Sequence, residues 1–270
     1  MAFVFAPLFS GSSGNALYVQ REDTCILVDA GLPGKRITEE MQKAGADISR
    51  LGAIFVTHEH LDHIAGVGVL MRKYKIPVYA TEPTWQAMES KIGRIPGDLV
   101  RCIEPGCPLQ IGSLQINPFS IPHDAAGPVG YAFEGGGRKL AIATDVGCIE
   151  QNWMDAVAGA DMLLLESNHD VDMLRAGKYP YELKMRILGK RGHLSNDDAG
   201  TAAAQLCARG VKQILLGHLS GENNFPELAW ESVAMHLRQA GVDIPLGVAS
   251  RSGLSGRYIL DGDEEQTRAV

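Results

Sequence analysis

Paired cysteines are missing from this chain. Its five, Cys25, Cys102, Cys107, Cys148 and Cys207, are odd in number and scattered, with no CxxC among them. That excludes a disulfide framework or a thiolate zinc site as the organising feature. Long apolar runs are missing too: no segment approaches the roughly 20 apolar residues that span a bilayer. The opening MAFVFAPLFSGSSGN has only a short apolar stretch and no basic leader, so no membrane contact is expected and a cytoplasmic location is. Positive charge is in deficit, with 25 basic against 32 acidic residues and a formal net charge of −7. A general polyanion binder is therefore not expected, and any nucleic-acid contact is confined to a local basic patch. Low-complexity tracts, repeats of fixed period and Pro-, Ser- or charge-rich linkers are absent as well. The expectation is one domain over residues 1–262 and a frayed tail, 263–270, in DGDEEQTRAV.

What is present is ordinary globular composition, 45% hydrophobic and 21% charged, enough for a large core. Short apolar runs bounded by Gly, Pro and Asp read as buried strands: ALYVQ, TCILVDAG, GAIFVTH, IPVYAT, SLQINPFSIPH, VGYAFEG, KLAIATD, MLLLESNH and QILLGH. Helical patterns lie between them, around Ile64–Tyr74, Pro83–Ile92 and Pro226–Gln239. Another follows Ser195 or Asn196 as N-cap, with two Asp in its first turn and Gly210 as its stop. Strands precede helices in both halves, which predicts a layered α/β protein.

The chemistry concentrates in THEHLDH, Thr57 to His63, which holds three of the chain's eight histidines. Crowded imidazoles and carboxylates are costly to desolvate unless something compensates them. His58 and His60, two apart, can point to one side of an extended segment, while Asp62 and His63 follow on the turn into the next helix. The spacing suits two neighbouring divalent ions, one on His58 and His60, the other on Asp62 and His63. Catalytic sites need at least three protein groups for each ion. Five predicted strands end in a potent residue, namely His58, His123, Asp145, His169 and His218, and such ends converge on one edge in layered α/β proteins. His123 can then complete the first set and His218 the second, with Asp145 bridging. Two ions about 4 Å apart would hold a bridging hydroxide and stabilise both oxygens of a displacement. A purely structural zinc closes with four ligands, often Cys-rich; here there are seven candidates and no Cys.

HEHLDH is an instance of HxHxDH, and on it the chain resembles the metallo-β-lactamase fold superfamily. Asp29 in ILVDAG matches the first motif of that family, His123 the third, Asp145 in ATDVG the fourth and His218 the fifth. The resemblance implies an αββα sandwich of two mixed sheets flanked by helices, with the metals at one edge. LFSGSSGN, PHDAAGPVGY, ESNHD, GHLSN and GHLSGENN are together similar to the YycJ/WalJ subgroup, cytosolic proteins similar to 5′-end DNA exonucleases. GHLSN also resembles the His-Ser/Thr motif of tRNase Z-type enzymes. It implies that His193 acts beyond the ligands, protonating a leaving 3′-oxygen or stabilising charge on the scissile phosphate. Asp62 counts as a catalytic group as well as a ligand. Asp29 is expected to stay off the metals and fix the loop by hydrogen bonds, and His169 to orient a ligand or touch substrate.

The segment KYPYELKMRILGKRGH carries five Lys or Arg and one acid, and it runs into His193. Lys184, Arg186, Lys190 and Arg191 are its candidate phosphate contacts, and Tyr179 and Tyr181 could stack on unpaired bases. Leu183, Ile187 and Leu188 at helical spacing read equally as the inner face of a solvated helix. The SGSSGN loop and Arg251 with Ser252 are further candidates for phosphate contact. His236 reads as structural.

The expected function is a metal-dependent 5′-to-3′ DNA exonuclease acting through hydroxide on two zinc or manganese ions. Nucleic acid is the expected partner, DNA ahead of RNA; oligomeric state is open, and a dimer would extend the binding surface. A thioester or lactone hydrolase of the glyoxalase II kind uses the same seven ligands but needs neither His193 nor the basic segment. A non-catalytic nucleic-acid-binding scaffold would not need the full set.

Overall fold

The computed structural model describes residues 2–261; the expected tail, 263–270, lies outside the described residues. The strands in chain order are β1 (Phe3–Phe9), β2 (Ala16–Arg21), β3 (Thr24–Val28), β4 (Ala53–Phe55), β5 (Val78–Thr81), β6 (Val100–Ile103) and β7 (Leu109–Ile111). They continue with β8 (Leu114–Ser120), β9 (Val129–Gly135), β10 (Arg138–Ala143), β11 (Met162–Glu166), β12 (Ile214–Gly217), β13 (Leu246–Val248) and β14 (Tyr258–Ile259). They form two seven-stranded sheets, in the orders β14-β1-β2-β3-β4-β5-β6 and β13-β12-β11-β10-β9-β8-β7. The chain thus builds one sheet with its first half and the other with its second, and β14 returns to close the first.

Each sheet is mixed. β3 to β6 run parallel, as do β10 to β13, while the strands nearer β1 and β8 pair antiparallel. A core lies between the sheets, with Phe3, Phe5, Ile26, Val28 and Phe55 from one facing Ile116, Tyr131, Phe133, Leu140, Ile142 and Leu164 from the other. The opposite faces pack under helices, Gly34–Lys43 and Val67–Tyr74 on the first sheet and Gln151–Val157, Asn196–Cys207 and Pro226–Gln239 on the second. The alternation of β10 shows why: Leu140 and Ile142 enter the inter-sheet core while Ala141 and Ala143 meet the helices. The layers are helix, sheet, sheet, helix, the expected αββα sandwich. Among the described residues no helix is long and apolar enough to cross a membrane, and all five cysteines are unpaired.

Five strands were not expected from the pattern. β1 carries Pro7, which normally demotes a strand, yet it pairs β2 across a register shift at Pro7/Phe9. β6, β7, β13 and β14 span four residues or fewer, too few for a period to show. The helix after Ser195 starts as expected, with a capping box in which Ser195 Oγ accepts from Asp198 N and Asp198 returns the bond. Asn224, just before the Pro226–Gln239 helix, bonds Asn196 and the Ser167 carbonyl, and its Oδ1 accepts from the Phe225 amide.

Candidate metal centre

Parallel strands point their C-terminal ends the same way, so the residues after β3, β4, β10, β11 and β12 meet at one edge of the sandwich. Asp29, His58, Asp145, Glu166 and His218 occupy those ends. Asp29, Asp145 and His218 hold left-handed backbone, at φ 60°, 58° and 56°. Each costs a non-glycine residue of order 1–3 kcal/mol and persists only where the surroundings over-determine it. Three such residues at one edge mark it as built for something other than stability.

The structure brings all seven candidate ligands together. Donor atoms of His58, His60 and His123 lie within 4.8 Å of one another, and so do those of Asp62, His63 and His218. Asp145 stands between the triplets, forming a group with His58 and His63 and another with Glu166, His193 and His218. His58 Nε2 and His60 Nδ1 are 2.9 Å apart, and His123 Nε2 is 3.4 Å from His60 Nδ1. In the other triplet, Asp62 Oδ2 is 3.5 Å from His63 Nε2 and 3.8 Å from His218 Nε2.

Anchors behind the rings decide which nitrogen faces inward. His63 donates from Nδ1 to Asp29 Oδ2 at 2.8 Å, and Asp29 also accepts from Thr57 N at 2.8 Å and Thr57 Oγ1 at 2.9 Å. Asp29 thus ties the HxHxDH loop to the end of β3. His123 donates from Nδ1 to the Gly192 carbonyl at 3.0 Å. In each case Nδ1 is occupied behind the ring, which turns Nε2 toward the cluster. Glu59, the other acid of the motif, accepts from Ala126 N at 2.9 Å and clamps the loop after His123.

Glu166 is the residue sequence reasoning missed. It is fully buried, and its Oε1 accepts from both His193 Nδ1, at 2.9 Å, and His218 Nδ1, at 2.8 Å. Its Oε2 accepts from Val146 N at 2.7 Å and Leu194 N at 3.2 Å. The signal was available: MLLLE is an apolar strand with one acid at its end, and alternation places Glu166 on the inter-sheet side with Met162 and Leu164. Asn15 was also missed; its Nδ2 lies 3.0 Å from His63 Nε2.

The electrostatics divide the cluster. Burial holds His58 well below the ordinary histidine range, and its neighbours His63, His123 and His60 push the same way. Burial likewise lowers His123 and His60, with Asp145 opposing. The first triplet is therefore neutral imidazole with lone pairs to give. Burial alone would depress His218 too, but Asp145, Asp62 and Glu166 outweigh it and push the pKa up to about 10. His63 is raised well above the usual range by Asp145, Asp29 and Asp62 against its burial. Burial works against the Glu166 carboxylate, yet His193 and His218 hold its pKa below the usual range. The second triplet is thus a carboxylate-rich locus that favours positive charge.

Asp145 Oδ2 and His218 Nε2 are buried without any hydrogen-bond partner among the described residues. Buried polar atoms normally find one, and these two belong to the converging donors. Imidazole and carboxylate without thiolate is a donor set for divalent cations. The residues fit a divalent-metal site.

The remaining candidates fall differently. His193 stands at the cluster with its side chain 18% exposed and lines an open cleft of about 500 Å³ with Ser12, His60, Asp62, Lys91, Asp145, Arg186 and His218. Lys91 was not anticipated; its Nζ donates to the Glu59 carbonyl at 3.1 Å. Arg186 reaches the rim, paired with Asp124. Lys184 is not a free cation: its Nζ donates to the Arg175 and Gly177 carbonyls, each at 2.7 Å, at the end of the Val171–Ala176 helix. Lys190 and Arg191 are exposed. His169 is buried, which lowers its pKa to about 4, and neither ring nitrogen has a partner among the described residues. It lies outside the ligand groups, bridging Ser195 through its backbone. His236 packs against Gly200, where a methyl group would meet its ring at 2.6 Å.

The family described as "Beta-lactamase superfamily domain" matches residues 24–219. Exodeoxyribonuclease YycJ of Bacillus anthracis is 45% identical over 244 residues, 90% of this chain and 92% of that protein. Exodeoxyribonuclease WalJ of Streptococcus pneumoniae is 42% identical over 250 residues, 92% of each. Among solved structures, the metallo-β-lactamase fold protein YhfI from Bacillus subtilis superposes with a TM-score of 0.69 at 16% identity, covering 94% of this chain and 99% of that one. The chain belongs to the metallo-β-lactamase fold superfamily and, within it, to the group of the YycJ and WalJ exodeoxyribonucleases.

Proposed function

We propose that this chain is a metal-dependent phosphodiesterase, a cytoplasmic 5′-to-3′ exonuclease on DNA acting through one domain over residues 1–262. The observation that carries the reading is His193, held by Glu166 at 2.9 Å and opening onto the cleft beside Asp145. A thioester or lactone hydrolase has no use for a proton donor fixed at that point. The names of relatives 45% and 42% identical support DNA as the substrate.

His58, His60 and His123 would hold one divalent ion, Asp62, His63 and His218 a second, and Asp145 would bridge them; zinc and manganese both suit this donor set. When bound, such a pair supplies Lewis acidity that activates water and neutralises charge on the scissile phosphate. The chain's own groups do the rest. Glu166 accepts a hydrogen bond from His193 Nδ1–H, which leaves Nε2 as the nitrogen that meets substrate. A proton carried there passes to the leaving 3′-oxygen, and the Glu166 carboxylate stabilises the imidazolium beforehand. Arg186 and Lys91 at the rim offset the charge of the incoming strand, with Lys190 and Arg191 as outer phosphate contacts.

Single-turnover digestion of 5′-labelled and 3′-labelled DNA, with enzyme reconstituted separately with zinc and manganese, tests this. Stepwise loss of the 5′ label is expected, with Asp62→Ala inactive and His193→Ala slowed roughly 10²–10⁴-fold. DNA and a matched RNA left intact, while wild type and His193→Ala hydrolyse a thioester equally, would sink the nuclease reading.

A further inference from the structure

Two loops at the cleft contribute only His218 to this mechanism, although the rest of their sequences stands out. SGSSGN and HLSGEN each put a glycine beside a serine, and a backbone bridge from Gly11 to Leu219 lays them side by side. Ser10 Oγ accepts the His218 amide at 3.0 Å, and Ser10 N donates to the Ser250 carbonyl at 3.1 Å, which brings in the third loop, ASRSG. Arg251 reaches from that loop over both glycines. A Cβ on Gly221 would lie 2.3 Å from Arg251 Nη2, and one on Gly11 would lie 2.9 Å from its Cγ. Glycine at both positions is what makes room for this side chain.

Among the described residues the guanidinium is uncommitted: no carboxylate pairs with Arg251, and its buried Nε has no acceptor. Three cations nearer the metal cluster are engaged, Arg186 with Asp124, Lys184 with two carbonyls and Lys91 with one. Ser12 and Ser220, the neighbours of the two glycines, line a small cavity of about 160 Å³ with Asn168, Tyr179, Arg186 and His193. It adjoins the main cleft, sharing Ser12, Arg186 and His193 with it. Asp124 lines this cavity as well. Arg251 stands behind its wall, over Gly11 and Gly221, the chain neighbours of the two serines, and a planar fork of donors beside two hydroxyls matches a tetrahedral oxyanion.

We infer that Arg251, with Ser12 and Ser220, forms a phosphate subsite beside the metal cluster that holds a second phosphate of the strand being cut. The inference rests on the nuclease reading and adds a substrate contact from outside the basic segment. The phosphate is either an internal diester or the strand's own 5′ terminus, and both present the same oxygens to the fork.

Fluorescence anisotropy on the metal-loaded full chain tests it. The probes are single-stranded DNA with a 5′-phosphate or a 5′-hydroxyl, carrying phosphorothioate terminal linkages that keep the charge and resist hydrolysis. Arg251→Gln should raise Kd about tenfold and reduce the slope of log Kd against log salt by about 0.7, one single-strand phosphate contact. Arg251→Lys should recover part of the loss. Gly221→Ala, which pushes the guanidinium aside without removing it, should reproduce part of it and decides the matter if Arg251→Gln melts poorly. Loss confined to the 5′-phosphate probe assigns the subsite to the terminus; equal loss on both probes assigns it to an internal diester. Unchanged Kd and salt slope in Arg251→Gln or Gly221→Ala overturn the subsite while leaving the nuclease reading intact. A wild-type chain that binds neither probe overturns both.

Discussion

Replacing Glu166 by glutamine changes one atom and should disable the centre. The carboxylate accepts four hydrogen bonds, two from imidazoles at one oxygen and two from backbone amides at the other, and it is fully buried. A glutamine has one oxygen, so one pair must face an NH₂ group. If the oxygen keeps His193 and His218, the Val146 and Leu194 amides meet a donor. Two buried donors left unpaired cost about 1–3 kcal/mol each, which lowers Tm by roughly 5–20 °C for a chain of this size. If the oxygen keeps the amides, the NH₂ drives both histidines to accept at Nδ1. Their protons then move to Nε2, and His218 can no longer present the lone pair that the cluster needs. Loss of such an outer anchor weakens metal binding about 10–100-fold. Thermal melting, together with single-turnover DNA digestion across a metal titration, separates the two. Lowered Tm marks the first arrangement and a shifted metal midpoint the second. A Glu166→Gln enzyme with wild-type Tm and wild-type metal midpoint would refute the reasoning.

Three further perturbations have defined outcomes. Gly31→Ala sets a methyl group 1.6 Å from the Asp62 carbonyl oxygen and 2.8 Å from Asn15 N, a clash of backbone with backbone, so the variant should lose metal binding by calorimetry; normal binding would show that the loop yields. Ser195→Ala removes the capping-box hydroxyl of the Asn196–Cys207 helix and should cost ~1 kcal/mol in urea unfolding, with no change in the m-value. Asp161 gathers Arg138, Lys212 and the Lys139 amide at 2.8–3.0 Å. Burial opposes its charge, but these partners hold its pKa below the usual range. A pKa lower in the folded than the unfolded chain contributes stability above the ordinary Asp value, and that contribution is lost as pH falls through the folded one. Asp161→Asn should therefore melt lower than wild type at pH 7, and the gap should close below about pH 4; a gap independent of pH would contradict this.

Much of the centre was legible because its chemistry is local or strand-terminal. THEHLDH carries four candidate donors in six residues, and no folding pattern can separate them far. His123, Asp145 and His218 each close a readable apolar run, and parallel strands align such ends. The layered α/β class followed from the same runs. What escaped was short or long-range. β6, β7, β13 and β14 have too few residues for a period, and Pro7 hid β1.

By itself the sequence determined which residue types stood ready, their spacing in the HxHxDH loop and the helix that Ser195 opens. Only the tertiary structure decided their partners. His123 takes its orientation from the Gly192 carbonyl, 69 positions away, and His218 from Glu166, 52 away. Lys184 looked like a phosphate contact but spends its ammonium on two carbonyls, whereas Arg251, alone in its loop, is placed over two glycines from distant turns. Composition and period report what a segment buries. Which donor meets which acceptor depends on sheet order and register, and those are settled when both halves of the chain pack together.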